Sequence, residues 1–290
     1  MTIKYIKYLF ILLAGCLFCC TETDDGCLDA TARNFDVTAD DDCCIVAEEC
    51  CCTYPDLQLN LAYKQKAADT LSVSSSNFKL GTFYALENTQ DSIAIDTFQL
   101  FLSQIKPINF TSLDTICVLE TIDFTKTNTA GDIIASRVED NIALVDGLQF
   151  SFDLGTYQSD LDVEQVDLTI GLSDELSQIN PDNITTNNNL GDTYNYLFNK
   201  ISGAFPSMRV KFTLKNTDKQ RIITRDFTFE EHLSTIFTTP IVNKNGQDLS
   251  LLLRINVLDV FKGIIFDVEI EDIDLIINTN LASSLSLIES

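Results

Sequence analysis

The chain has 290 residues, and its composition excludes several classes of function before any motif is considered. Its 45% hydrophobic and 21% charged residues are typical of a globular protein and exclude wholesale disorder. A net charge of −24 repels phosphate backbones, which excludes nucleic acid as a partner. Because there is one His and only one Cys beyond residue 52, most His- or Cys-based catalytic sites are excluded as well.

Residues 1–15 have the pattern of a bacterial lipoprotein signal peptide. Lys4 and Lys7 precede a short apolar run at residues 8–15. This run is too short to cross a bilayer, which requires about 20 apolar residues. We therefore expect the chain to be exported and the signal to be removed.

The end of the apolar run, Leu13-Ala14-Gly15-Cys16, resembles a lipobox, in which the Cys thiol receives a diacylglycerol. Cys20 is the alternative lipidation site, and the acidic residues 21–25 follow it. Because Leu17-Phe18-Cys19 is a poorer cleavage site, the sequence favours Cys16. An ordinary cleaved signal with incidental cysteines remains the other interpretation. A lipid on either Cys predicts a membrane anchor rather than a membrane span.

Residues 16–55 form a Cys-rich acidic segment, and nine of the ten cysteines lie between Cys16 and Cys52. Residues 26–43 resemble a short module of surface and secreted bacterial proteins, G-C-x-D-x-x-A-x-N-[FY]-[DN] followed by an Asp pair and a Cys. Because export implies an oxidising compartment, disulfides are expected. The candidates are Cys27, Cys43, Cys44, Cys50, Cys51 and Cys52.

The pairing of these cysteines stays open at the level of sequence. A bridge from Cys27 to Cys43 or Cys44 would close a loop of roughly 16 residues, worth about 3 kcal/mol. Adjacent cysteines rarely pair with each other, so the triplet Cys50, Cys51 and Cys52 is expected to bridge back to those three. A thiolate cluster for copper or zinc is the alternative for the triplet.

Three interpretations fit the acidic residues of this segment. In the first, a hard cation such as calcium is bound by the carboxylates of Asp36, Asp40, Asp41 and Asp42. The spacing is not that of an EF-hand loop, since it lacks the central Gly and the final Glu. The other interpretations are a disulfide-stapled turn without a metal and a flexible acidic tether.

Residues 56–290 read as one domain of short strands. Leu57, Leu59, Leu61 and Tyr63 alternate with polar residues and share one face of a predicted strand. The same alternation predicts strands over residues 92–102, 148–154, 163–170, 208–214, 226–229, 249–257 and 264–270. Residues 195–201 and 281–287 are the helical candidates, and residues 180–191 read as a long exposed loop. The pattern predicts an all-β fold, an antiparallel β-sandwich.

The order of motifs in this body resembles the MbnP-like domain, a family of copper-binding partner proteins of methanobactin operons and of exported bacterial lipoproteins. The matching stretches are residues 96–105 (DTFQLFLSQI), 120–123 (ETID), 150–155 (FSFDLG), 166–172 (VDLTIGL), 229–233 (FEEHL) and 253–261 (LRINVLDVF). The resemblance implies a β-sandwich in an exported lipoprotein. It also implies copper, which the family holds with His and an oxidised Trp.

The chain departs from that family at the copper site. Residues 191–198 occupy the place of a Trp-bearing strand, yet the chain has no Trp, and His232 is its single His. Copper requires imidazole or thiol ligands, so His232 alone makes a weak copper candidate. The alternative for His232 is a polar residue at a strand end.

The sequence therefore predicts a non-enzymatic binding or accessory lipoprotein at the outer membrane, facing the periplasm or the cell surface. It would have a lipid anchor in the membrane and a protein partner. A copper-handling protein is the first alternative. A carboxylate-based extracellular hydrolase is the second, although the alternating Asp267, Glu269 and Glu271 are more typical of a solvated strand face.

Overall fold

The computed structural model describes residues 24–46, 50–65, 78–86, 90–110, 120–127, 129–157, 161–186, 188–229 and 231–288. Strands dominate this part of the chain, and the prediction of an all-β sandwich is confirmed. The strands are β1 (Asp25–Gly26), β2 (Asp41–Asp42), β3 (Asp56–Lys64), β4 (Phe83–Ala85), β5 (Ser92–Ile108), β6 (Glu120–Thr127), β7 (Ile133–Asp140), β8 (Ala143–Val145), β9 (Ser151–Thr156), β10 (Val163–Ile170), β11 (Met208–Lys215), β12 (Gln220–Phe227), β13 (Glu231–Ile241), β14 (Leu249–Asn256) and β15 (Leu285–Ile288).

The larger sheet of the sandwich has seven strands and is built around β5, which is 17 residues long. β11 pairs with residues 92–100 of β5, and β10 pairs with residues 102–108. β12 and β13 extend the sheet beyond β11 and β10, while the short strands β4 and β8 also pair with β5. One long strand therefore holds both halves of the sheet together.

The smaller sheet has the strand order β15, β14, β3, β9. In β3 the predicted alternation is observed, since Leu57, Leu59, Leu61 and Tyr63 are all buried. β3 and β14 are parallel neighbours, whereas the other strand pairs described in the two sandwich sheets are antiparallel. Because most of the domain lies between these two strands in the chain, no hairpin forces them to run in opposite directions.

The described helices are short, with one exception. They are α1 (Cys43–Val46), α2 (Asp174–Ser177), α3 (Asn189–Asp192), α4 (Val257–Val260) and α5 (Ile270–Leu281), with 3-10 turns at Pro181–Asn183, Asn195–Leu197 and Ala282–Ser284.

The core lies between the two sheets, and α5 packs against it. Ile273, Ile277 and Leu281 on one face of α5 are buried, a spacing of four residues that is helical. The predicted strand at residues 264–270 is therefore wrong, because these residues form turns that lead into α5. The predicted helix at residues 281–287 is wrong too, since the chain turns after Leu281 and forms β15.

A second apolar cluster lies where residues 171–207 connect β10 to β11. Phe101 contributes from β5, and Leu176, Leu190, Leu197 and Phe205 contribute from the connection. The predicted exposed loop at residues 180–191 is observed only in part. Asp182, Asn183 and Thr185 are exposed, whereas the fully buried Leu190 anchors α3. The predicted helix at residues 195–201 is reduced to the 3-10 turn Asn195–Leu197.

Candidate functional site

Two of the predicted features lie outside the described residues. These are the signal peptide of residues 1–15 and the lipidation candidates Cys16 and Cys20. They remain predictions from the sequence.

Six cysteines of the segment form three disulfides, so the prediction of disulfides is confirmed. Cys27 pairs with Cys52, Cys43 with Cys51, and Cys44 with Cys50. The predicted closure of Cys27 with Cys43 or Cys44 is wrong, while the triplet does bridge back to the three earlier cysteines. The three pairs are nested. The triplet runs antiparallel to the earlier cysteines, so that Cys50 meets Cys44, Cys51 meets Cys43, and Cys52 meets Cys27.

Side-chain oxygens shape the backbone of this disulfide module, which we define as residues 24–55. Asp29 accepts hydrogen bonds from the backbone N–H of Thr31 at 2.9 Å and from the Tyr54 hydroxyl at 2.9 Å. Asp36 accepts from the hydroxyl and the backbone N–H of Thr38 at 2.6 and 2.9 Å. These bonds hold the pKa of both carboxyls below their usual range, through the backbone N–H of Thr31 for Asp29 and the Thr38 hydroxyl for Asp36. Asp29 and Asp36 therefore act as turn-forming groups.

The structure does not gather the predicted calcium ligands. Although Asp36, Asp40, Asp41 and Asp42 are all described, no three of their carboxylates lie close enough together to share one ion. In the described part of the chain, the one grouping of potential ligands joins Asp42 to Cys43, Cys44 and Cys52. The sulfurs of that group are held in disulfides, so it offers no thiolate to copper or zinc.

The module is docked on the sandwich, which contradicts the interpretation of a flexible tether for residues 24–55. The Arg33 guanidinium contacts Asp56 at the start of β3, at 2.9 Å, and also Asp248 in the loop before β14. The two carboxylates that accept from Arg33 belong to residues that are themselves hydrogen-bonded, because the backbone N–H of Asp56 donates to the Asp248 carboxylate at 2.9 Å. The Arg33 backbone N–H donates to the carbonyl of Thr53 at 2.7 Å, and this bond places the side chain.

His232 lies in a shallow pocket on the outer surface of the larger sheet, which we call the β13 groove. Its volume is about 240 Å³. β13 places His232 directly opposite Thr169 of β10, and Nδ1 of the ring lies 2.9 Å from the Thr169 hydroxyl. Residues from three adjacent strands line the groove: Gln104, Lys106, Asp167, Leu168, Thr169, His232, Leu233 and Ser234.

A β-bulge next to the groove distorts β5. The register between β5 and β10 shifts between the pairs Asp167–Lys106 and Thr169–Ser103. Gln104 in this bulge has φ of 51°, a left-handed conformation that is unfavourable for a residue with a side chain. Bulges and left-handed non-Gly residues concentrate at functional sites.

A buried carboxylate supports the bulge from below. Asp140 is 1% exposed and accepts a hydrogen bond from the Gln104 backbone N–H at 2.5 Å. Its second oxygen, Oδ2, is buried and has no partner in the described part of the chain. Burial raises the pKa of Asp140 to about 6, although the N–H donors of Gln104 and Asn141 and the charge of Lys106 act in the opposite direction.

Copper at His232 remains a prediction from the sequence. His232 is the only imidazole of the chain, and the described residues around it supply no second sulfur or imidazole ligand. Its closest described partner is the Thr169 hydroxyl, which is a poor copper ligand.

The acidic residues considered for hydrolysis do not face one another on a strand. Asp267 lies in a turn, Glu269 precedes α5, and Glu271 lies in its first turn; all three are exposed. The predicted strand face of alternating carboxylates is therefore wrong, because the backbone here is turn and helix.

Sequence reasoning missed Lys106, Gln104 and Asp140 as site residues. Lys106 and Gln104 belong to a strand that was recognised, but their neighbours across the groove come from β10 and β13, far along the chain. The only local signal was the polar pair Ser103-Gln104 inside an otherwise apolar strand.

Comparisons with known proteins assign no family to this geometry. No family model matches the chain, and neither a curated protein nor a solved structure matches it. In the described residues, none of the helices has the length and apolar character needed to cross a membrane.

Proposed function

We propose that the chain is an exported bacterial lipoprotein whose MbnP-like sandwich acts as a non-enzymatic binding or accessory domain at the outer membrane, facing the periplasm or the cell surface. The observation that carries this proposal is the disulfide module, in which six cysteines form three nested pairs. Such pairs persist in oxidising compartments, and the lipobox-like Leu13-Ala14-Gly15-Cys16 precedes the module by a few residues.

The docking of the module supports a defined arrangement of anchor and domain. Arg33 joins the module to the first strand of the sandwich and to the loop before β14. A lipid at Cys16 or Cys20 would therefore be tied to one end of the sandwich through a stapled unit. This arrangement presents the opposite surfaces of the domain to a protein partner.

A binding role is favoured over catalysis by the placement of the carboxylates. Asp267, Glu269 and Glu271 are exposed on a turn and a helix rather than paired across a cleft. Copper handling is not included in the proposal, because the six module cysteines are disulfide-bonded and His232 has no second imidazole nearby. Metal analysis of the purified full chain tests this exclusion, and one equivalent of tightly bound copper would contradict it.

Membrane fractionation of cells expressing the full chain tests the anchor. We expect the parent chain to sediment with the outer membrane and to incorporate labelled palmitate. The double variant Cys16→Ala/Cys20→Ala should lose both properties, whereas the matched control Cys117→Ala should keep them. Unchanged fractionation and labelling of the double variant would overturn the proposal.

A further inference from the structure

The β13 groove contains a cation and an anion that form no ion pair with each other. Lys106 of β5 and Asp167 of β10 are directly opposed in the antiparallel register, so their side chains share the outer face of the sheet. Both residues are described, and no ion pair joins them. Lys106 is a half-buried residue whose charge acts on the buried Asp140, but its ammonium forms no hydrogen bond or ion pair in the described part of the chain.

Lys106 is the one Lys or Arg among the described residues that line the β13 groove. The chain as a whole has 19 basic residues against 43 acidic ones. A charge-assisted hydrogen bond from this ammonium would stabilise an anionic ligand group placed beside it. Lys106 is therefore the group of the groove that would hold an anion.

Asp167 is available to a donor from the same ligand. Its Oδ1 accepts a hydrogen bond from Gln165 at 2.7 Å, which fixes the carboxylate, while Oδ2 accepts none from the described residues. Because Lys106 and Asp167 are directly opposed, one small ligand that carries an anionic and a donating group close together can reach both side chains.

Hydrogen bonds orient the other side chains of the groove, which is of small-molecule size. The Thr169 hydroxyl donates to Oε1 of Gln104 at 3.4 Å and lies 2.9 Å from Nδ1 of His232, so the three side chains orient one another. Asp140 holds the Gln104 backbone from the buried side. The volume of about 240 Å³ admits an amino acid of about five carbons, whereas the side chains of Leu168 and Leu233 face the core on the other side of the sheet.

We propose that the β13 groove binds a small α-amino acid as a zwitterion, with the ligand carboxylate on Lys106 and the ligand ammonium on Asp167. This site gives the proposed binding role a ligand class and rests on that role. The tests are separable, because the membrane anchor is tested at Cys16 and Cys20 and the groove is tested by titration of the purified protein.

The experiment titrates the full chain, purified in detergent, with four matched probes by calorimetry and ligand-observed NMR. The probes are L-2-aminopentanoate, its N-acetyl derivative, pentanoate and pentanamide. L-2-aminopentanoate should bind most tightly, and the N-acetyl derivative and pentanoate should each bind about tenfold more weakly, since each lacks one charge-assisted contact. Pentanamide should show no saturable binding.

Two variants assign the contacts. Lys106→Met keeps the side-chain stem and should weaken L-2-aminopentanoate about tenfold or more, whereas Lys211→Met on the exposed face of β11 should change nothing. Asp167→Asn should abolish the preference for L-2-aminopentanoate over pentanoate, a readout that a general loss of folding cannot produce. Equal binding of all four probes, binding unaffected by Lys106→Met, or no saturable binding of L-2-aminopentanoate would overturn the proposal. Preferential binding of the N-acetyl derivative would also overturn it, in favour of a peptide C-terminus.

Discussion

Asp140 accepts a hydrogen bond from the backbone N–H of Gln104 at 2.5 Å, while the other oxygen of the same carboxylate is buried without a partner in the described residues. The bulge of β5 turns this N–H away from the strand ladder, and Asp140 satisfies it. The left-handed backbone of Gln104, which would otherwise be disfavoured, is thus held by a carboxylate that is itself poorly solvated.

This arrangement predicts a pH dependence of stability that Asp140→Asn reduces. Because burial raises the pKa of Asp140 from the usual 3.8 to about 6, the folded state binds its proton more tightly than the unfolded state does. The free energy of unfolding should therefore fall as the pH rises from about 4 to about 6 and then level off. At about 1.4 kcal/mol per pKa unit, the loss is about 3 kcal/mol. Urea unfolding at several pH values measures it.

Asp123→Asn is the matched control for this prediction. Arg137 donates to Asp123 at 2.6 Å and holds the pKa of that carboxyl below its usual range, so its contribution is lost only at lower pH. Asp123→Asn should leave the slope between pH 4 and 6 intact. Burial raises the pKa of Glu120 as well, so a smaller slope should remain in Asp140→Asn. A slope of unchanged size in Asp140→Asn would contradict the prediction.

The nested disulfides predict which pairs of cysteines can be replaced together. Cys27→Ser/Cys52→Ser removes both partners of one bridge and should add no thiol to the number found in the parent chain. Cys27→Ser/Cys43→Ser leaves Cys51 and Cys52 without partners and should add two. Alkylation under denaturing, non-reducing conditions followed by mass measurement counts the thiols.

Loss of the Cys27–Cys52 bridge should also destabilise the module. The bridge spans 25 residues, and a loop of this length is worth about 3–4 kcal/mol in the chain-entropy model.

If Cys27→Ser/Cys43→Ser left the thiol count of the parent unchanged, the nested pairing would be contradicted.

The strands β3, β5, β9, β10, β11 and β14 were predictable, because a residue alternation such as that of Leu57, Leu59 and Leu61 reflects burial on one face. The strands β6, β7 and β13 were not predicted from alternation, and the predicted strand at residues 226–229 overlaps β12 only at its end. Alternation failed as a strand signal at residues 264–270. The apolar residues there alternate with polar ones, but they lie in turns that precede α5. The helical spacing of Ile273, Ile277 and Leu281 was the better signal, and it was overlooked because Asp and Asn residues interrupt it.

The candidate site was not predictable from single motifs. His232 was recognised, but its neighbours Lys106 and Asp167 come from two other strands and meet it only through the strand register. No Gly marks the left-handed backbone at Gln104, so the bulge has no sequence signal. The disulfide partners were restricted by the rule against pairing of adjacent cysteines, but their order depends on the path of the folded chain.

The contact of Arg33 with Asp56 and Asp248 predicts that docking of the module depends on charge. Arg33→Gln should release the module edge and accelerate hydrogen exchange of the Asp56 backbone N–H, which donates to Asp248. Exchange in the central strand β5 should not change, because the contact is exposed and the core is not involved. Site-resolved hydrogen exchange measures both.

Arg137→Gln is the matched control, since it removes another exposed Arg–Asp pair inside a hairpin, far from the module in the chain. It should leave the Asp56 exchange rate unchanged. Equal rates for Asp56 in the parent chain and in Arg33→Gln would show that the module is held by other contacts.

The junction between the two halves of the larger sheet predicts an unusually costly glycine substitution. Gly171 follows β10 with φ of 105°, and a Cβ there would meet the carbonyl oxygen of Phe229 and, at 3.0 Å, the Ser207 hydroxyl. Ser207 donates to the same carbonyl at 2.5 Å, so the neighbours cannot move without breaking that bond.

Gly171→Ala should therefore lower the free energy of unfolding by about 3 kcal/mol or more, from backbone strain together with displacement of Ser207. Gly203→Ala is the control, because Gly203 also has a positive φ, of 72°, but nothing lies within 4 Å of the added Cβ. Gly203→Ala should lower the free energy of unfolding only by the cost of a positive φ for a residue with a Cβ, about 1–2 kcal/mol. Urea unfolding of both variants measures the difference, and equal costs would mean that the close approach at Phe229 does not constrain the junction.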